Sequence, residues 1–197
     1  MKTPRRLIIG VTGASGAVYA KTALEALRKT DVETHLILSR ASEMTIRYEL
    51  DMSGADFAAL ADHRYAIGDI GAAISSGSFK TLGMLIVPCS VRSMSEIATG
   101  VTSTLLTRAA DVVLKESRKL VLAPRETPFH LGHLRTMTSL AEMGAIIAPP
   151  LPAFYAEPQT IDDLVGQSVG RLLDLFNIET PLVKRWGEDL EKGRRDH

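Results

Sequence analysis

The sequence predicts a doubly wound α/β domain with a parallel sheet. Three observations predict it. Apolar runs of strand length alternate with segments of helical period along most of the chain. The runs are nearly continuous rather than alternating, as strands buried on both faces require. Each run gives way to a turn or helix rather than to a hairpin, so successive strands pair in parallel through right-handed crossovers.

The elements follow in order. Leu7 to Val11 forms a first buried strand. After the turn Gly13-Ala14-Ser15-Gly16, the apolar positions Val18, Ala20, Ala23, Leu24 and Leu27 mark a helix to about Lys29. Val32 to Ser39 is a second strand, Ser42 to Leu50 a helix, and Asp56 to Asp62 a further short helix. Asp69 to Lys80, rich in Gly and Ser, is a loop. Met84 to Val87 is a third strand stopped by Pro88, followed by helices over Ser93–Thr99 and Ser103–Glu116. Leu120 to Ala123 is a fourth strand stopped by Pro124. Leu134 to Met143 is helical with Gly144 as its C-cap, and Ala145 to Ala148 is a fifth strand ended by Pro149-Pro150. Ile161, Leu164, Val165, Val169, Leu172, Leu173 and Phe176 mark a last amphipathic helix, and the charged tail from Glu188 is expected to fray.

The 197 residues suit one domain, 1–197. With 23 basic and 23 acidic residues the net charge is zero, which argues against a strongly basic nucleic-acid binder and favours a homo-oligomer. One cysteine allows no intrachain disulfide and fits a reducing cytoplasm. No apolar run has the length of a membrane-spanning helix, and the apolar stretch after Met1–Arg6 is too short for a signal peptide.

In such folds ligands bind beyond the carboxyl ends of the strands, here Thr12–Gly16, Ser39–Arg40, Pro88–Ser93 and Pro124–Glu126. Gly13 to Gly16 opens a helix whose N-terminal N–H groups suit a phosphate, although the loop is neither G-x-G-x-x-G nor a Walker loop. Ser15 serves there as a ligand contact or as a simple N-cap. Pro88 to Ser93 gathers hydroxyls at another helix start; its Cys89 is a nucleophile or, with no base beside it, a buried small residue. Arg125 offers a fork to a phosphate, and Glu126 is either a proton-transfer group or the ion-pair partner of Arg125. Arg108, Asp111 and Lys115 share one helix stripe and read locally as an ion-pair ladder. Glu49 and Arg171 read locally as exposed charges. His130 and His133 lack the further ligands of a metal site, and no Asp-rich magnesium-diphosphate cluster exists.

Taken together, Thr12–Gly16, Ser75–Ser78, Pro88-Cys89-Ser90, Arg108–Val112, Leu114-Lys115-Glu116, Pro124-Arg125-Glu126 and Pro152–Tyr155 closely resemble the UbiX-like flavin prenyltransferases. That family includes a branch named as the small partner of hydroxyarylic acid decarboxylases. The resemblance covers about Leu7 to Trp186. It implies a flavodoxin-like (Rossmann-like) three-layer sandwich that joins a dimethylallyl group from dimethylallyl monophosphate to N5 and C6 of reduced FMN. The product, prenylated FMN, serves a UbiD-type decarboxylase. The family implies a homododecamer with sites at subunit interfaces, and no metal.

Carried over by residue, the resemblance puts Gly13, Ala14, Ser15, Ser39, Ser90, Val91, Arg92, Ser93 and Arg125 around FMN. Arg108, Lys115, Arg125, Glu126, Tyr155 and Arg171 fall at the prenyl phosphate, and Ser15, Glu49, Lys115 and Glu126 are the catalytic set. This replaces the local readings of Lys115, Glu49 and Arg171, because a helix flank solvated in one subunit can line a neighbour's site. Ile70 stands where some members carry Trp, a change in the pocket wall shared with the small-partner branch. Two rival functions remain: an FMN-dependent cysteine decarboxylase, for which His35 is the nearest histidine but lies mid-strand, and a non-catalytic flavin carrier subunit of an aromatic-acid decarboxylase.

Overall fold

The structure, a computed structural model, describes residues 4–189. Most of the tail expected to fray after Glu188 lies outside the described residues. Six strands form one sheet: β1 (Arg5–Val11), β2 (Val32–Leu38), β3 (His63–Tyr65), β4 (Gly83–Cys89), β5 (Lys119–Pro124) and β6 (Ile146–Ile147). Their order is β3-β2-β1-β4-β5-β6, and every neighbouring pair is parallel. The order reverses between β1 and β4, which makes the gap above their carboxyl ends the ligand position of an open α/β sheet.

Helices cover both faces, giving three layers. On one face α1 (Ala17–Leu27), α2 (Arg40–Leu50), α3 (Gly54–Ala58) and α7 (Ile161–Asp174) pack over Leu7, Ile9, Val11 and Leu85. On the other, α4 (Val91–Ala98), α5 (Leu105–Lys115) and α6 (Leu131–Glu142) pack over Ile8, Met84, Ile86, Leu120 and Leu122. Consecutive residues of β1 thus feed opposite cores, which is why its sequence is apolar without alternation. Each fully buried Leu or Ile contributes roughly 1.5–3 kcal/mol of transfer free energy.

Five strands lie where the sequence places them, with moved ends. Pro88 and Pro124 do not stop β4 and β5 but sit inside their last residues. Proline lacks an N–H, and the β4–β5 register shifts between Ile86 and Cys89 where it falls. The strand expected over Ala145–Ala148 is only Ile146–Ile147. β3 was not foreseen: His-Arg-Tyr has no apolar run, and it pairs only at the sheet edge, with β2. The helix expected over Asp56–Asp62 is Gly54–Ala58; Asp62 instead accepts the N–H and hydroxyl of Thr34 at 2.8 and 2.7 Å. The loop over Asp69–Lys80 contains one 3-10 turn, Ala73–Ser75. α6 is capped by Met143, with Gly144 following at φ 96°.

Candidate active site

Loops at the carboxyl ends of β1, β2 and β4 enclose a cavity of about 570 Å³. Gly13, Ser39, Ser90, Arg92 and Ser93 line it, all expected from the sequence. The N-termini of three helices, α2, α4 and α5, reach it. Ser39 caps α2 by accepting the Ser42 N–H at 3.1 Å, and Ser90 caps α4 by accepting the Ser93 N–H at 3.3 Å. Val91 and Arg92 supply first-turn N–H groups of α4, which a helix leaves without intrahelical partners. With Arg40 and Arg92 on the rim, the lining suits an anionic group attached to a larger ring system.

Thr12 fastens this wall. Its buried hydroxyl donates to the Pro88 carbonyl at 2.7 Å and accepts the Ser90 N–H at 2.7 Å. The ends of β1 and β4 are therefore joined where α4 begins. Across the cavity Gly13 lies against α2: a Cβ there would stand 2.4 Å from Cβ of Ala41. Only a residue without a side chain permits this approach.

The N-terminus of α1 has a different occupant. Gly16, not Ser15, is the N-cap, and it makes no side-chain cap. Glu49, near the end of α2, reaches across, and its Oε2 accepts the N–H groups of Gly16 and Ala17, each at 2.8 Å. Burial alone raises the Glu49 pKa, but hydrogen bonds from the Ser15 hydroxyl and these two N–H groups, with the nearby Arg125 charge, outweigh it and hold it below the ordinary value. Ser15, Glu49 and Arg125 thus adjoin one another, although the three come from different segments.

The remaining expected residues do not converge within one chain. Arg108 donates to Asp111 at 2.8 Å, as the ladder reading expected, whereas Lys115 turns to Glu116 rather than to Asp111. Glu126 accepts the N–H of Thr127 at 3.0 Å. Arg171 donates to Asp174 at 2.6 Å, and Arg185 holds the same carboxylate from the other side. Tyr155 accepts from Gln167 at 3.4 Å and packs edge-on against Trp186. Ile70 is 58% exposed. Cys89 is fully buried, and burial pushes its thiol up to about 12, so it is no nucleophile. His35 is buried in β2, its Nδ1 bonded to Tyr65 and its Nε2 to Glu33, away from the cavity lining.

Several lining residues were missed. Ala41, Ile67, Gly68, Glu96, Ser103, Thr104 and Leu106 also face the cavity, whereas Arg40 stands at the Ser39–Arg40 strand end that the sequence marks for a ligand. Thr104 carried a signal: with Thr107 it forms the capping box that starts α5. Ile67 and Gly68 carried none, since their approach depends on the unforeseen strand β3.

A protein-family model described as Flavoprotein matches residues 1–173. The chain is 56% identical over 185 residues to the flavin prenyltransferase UbiX of Escherichia coli K12, covering 92% of this chain and 98% of that one. It superposes with a TM-score of 0.92 and 47% identity on AnUbiX (PadA1) in complex with FMN and dimethylallyl pyrophosphate, covering 93% of this chain and 98% of that one. A dodecameric FMN-dependent UbiX-like decarboxylase from Escherichia coli O157:H7 aligns with a TM-score of 0.90 and 49% identity, covering 92% and 98%.

Proposed function

The chain belongs to the UbiX flavin prenyltransferase family, and from that membership we propose that it joins a dimethylallyl group to reduced FMN, taking it from dimethylallyl monophosphate. The observation that carries the reading is the cavity between Gly13, Ser39 and Ser90–Ser93, whose size, hydroxyls and helix N-termini fit FMN. Reduced FMN supplies N5 and C6 as the prenyl acceptors, and the product serves a UbiD-type decarboxylase.

In this reading Gly13, Ala14, Ser15, Ser39, Ser90, Val91, Arg92, Ser93 and Arg125 hold the flavin. The first-turn N–H groups of α4 and the Ser90 and Ser93 hydroxyls bind its phosphate. Arg108, Lys115, Arg125, Glu126, Tyr155 and Arg171 hold the prenyl phosphate and offset charge as the allylic C–O bond breaks. Basic side chains make a divalent metal unnecessary there. Ser15 orients Glu49, and Glu49 or Glu126 carries the proton that leaves C6 as the ring closes, while the prenyl double bond takes up a proton in exchange.

The phosphate set is scattered in one chain, so we place the complete site between copies. Exposed Tyr48, Leu134, Leu151, Phe154, Ile161 and Trp186 support such packing, and a dodecamer is the arrangement we adopt from the similar UbiX-like structure. Among the described residues no helix is long and apolar enough to cross a membrane, and we assign the enzyme to the cytoplasm. The test is one reaction: reduced FMN, dimethylallyl monophosphate and protein, read by mass spectrometry of the released flavin. A flavin heavier by one prenyl unit is expected; recovery of unmodified FMN alone overturns the assignment.

A further inference from the structure

At the β2–β3 edge three potential ligands converge. Glu33 and His35 are two apart on β2 and so face the same side, and His63 on β3 is the register partner of His35. Glu33 Oε1 lies 3.0 Å from Nε2 of His35 and 3.0 Å from Nε2 of His63. One donor atom from each of the three lies within 4.8 Å of the others. His35 is almost wholly buried, Glu33 partly so, and His63 half-exposed.

We propose that Glu33, His35 and His63 form a binding site for Zn²⁺. Two imidazoles and one carboxylate are a donor set that zinc accepts, with water in the fourth position. Tetrahedral ligands at zinc distances stand roughly 3.3 Å apart, close to the two spacings at Glu33. The stacked rings of His35 and His63, with centroids 4.8 Å apart, do not yet aim at one point. His63 is the exposed member and turns to close the triad. Nδ1 of His35 lies 2.9 Å from the Tyr65 hydroxyl. With zinc on Nε2, Nδ1 keeps its proton and donates it to Tyr65, which fixes the ring, as outer partners of metal ligands do.

One group opposes the ion. Arg6 Nε lies 3.4 Å from Glu33 Oε1 and must yield that contact. Its guanidinium also rests over the Phe79 ring, 4.4 Å from the centroid, so it keeps a partner after release. The competition implies moderate affinity. His35 lies four residues before Ser39 on β2, roughly 13 Å along an extended strand. The ion would therefore tie the edge strand to the sheet without entering the cavity.

The experiment uses untagged full-length protein, stripped with chelator and titrated with ZnCl₂ by calorimetry, then with CoCl₂ by visible absorption. Expected are one saturable zinc per chain, tetrahedral cobalt bands, and a rise in melting temperature. His63→Ala and Glu33→Gln should each weaken zinc by at least about 100-fold, the upper end of what outer partners alone cost. Tyr65→Phe should weaken it by roughly tenfold. His133→Ala, which removes the other histidine pair, should leave it unchanged. No saturable zinc in the wild type, or wild-type affinity in folded Glu33→Gln and His63→Ala, overturns the site.

Discussion

The carboxylate of Glu49 closes the helix that begins at Gly16: one oxygen accepts both the Gly16 and the Ala17 N–H at 2.8 Å. A helix N-terminus that would attract a phosphate is thus already held by an anion of the same chain. The proposed flavin phosphate site at the start of α4 is free of any such carboxylate cap, since Ser90 caps that helix. The structural role of Glu49 at α1 therefore has to be separated from the chemical role proposed for it beside Ser15 and Arg125.

A pH series separates them. The Glu49 pKa is lowered on folding, so its contribution to stability is present above the unfolded value and lost as pH falls through the folded one. Glu49→Gln should cost about 0.3–1 kcal/mol at neutral pH, the usual worth of a carboxylate at a helix N-terminus. The gap to wild type, measured by denaturant midpoints, should close below the ordinary carboxylate range. A gap that persists unchanged into acid would remove the electrostatic account. Loss of prenyl transfer at neutral pH beyond the loss of folded protein would mark the chemical role.

Thr12→Val keeps shape and deletes two hydrogen bonds, leaving the Ser90 N–H unpaired and the Pro88 carbonyl with only the backbone N–H of residue 12, at 3.3 Å. It should cost about 1–3 kcal/mol and weaken FMN binding, while Thr12→Ser retains both. Urea unfolding and flavin titration read the two effects. A Val variant as tight and stable as wild type would show that the β1–β4 clamp does not shape the cavity.

Gly13→Ala sets a methyl group against Ala41. Overpacking typically costs about 1–3 kcal/mol, so FMN affinity should fall about tenfold or more as α2 moves off the loop. Fluorescence titration gives the constant. Unchanged affinity would place the flavin elsewhere.

Lys115→Ala and Glu126→Gln should impair transfer far more than FMN binding. In a water-poor site, losing one stabilising group costs about 10²–10³ in rate, whereas an exposed ion pair is worth under about 1 kcal/mol of stability. Single-turnover formation of the modified flavin, with FMN saturating, distinguishes them. Near-wild-type rates in both variants would leave Lys115 as the surface ion-pair partner of Glu116 and Glu126 as an acceptor for the Thr127 N–H.

Chelator should leave the transfer rate unchanged even if it lowers the melting temperature through the β2–β3 edge. A rate abolished by chelator and restored by magnesium would contradict the metal-free phosphate site.

The fold was legible because its core strands carry apolar runs, Leu7–Val11 in β1, Leu36–Leu38 in β2, Met84–Val87 in β4 and Leu120–Ala123 in β5, that need no partner information to be recognised. β3 was not, because three polar or aromatic residues at an edge carry no periodic signal. The cavity was half legible. Gly13 and Ser90–Ser93 follow strands directly, and strand ends are where such sheets bind ligands. Arg40 likewise follows β2 at a strand end, but Ile67 and Gly68 come from the chain beyond β3, a tertiary effect. Glu49 looked like an ordinary helix carboxylate because its partners lie 32 and 33 residues away in sequence. Lys115 and Arg171 pair within their own helical segments, so neither pattern nor one chain's geometry distinguishes them from surface charges; only the family resemblance assigned them.

The burial of Cys89 has a practical consequence. A thiol raised to about 12 is almost entirely protonated at neutral pH and has no solvent-facing surface, so maleimides and iodoacetamide should leave the native protein untouched. As it is the sole cysteine of the chain, any cysteine introduced on the surface becomes the single labelling position. A dye at Tyr48→Cys or Phe154→Cys would then report, by its quenching and anisotropy, whether those exposed aromatic positions become covered as copies associate.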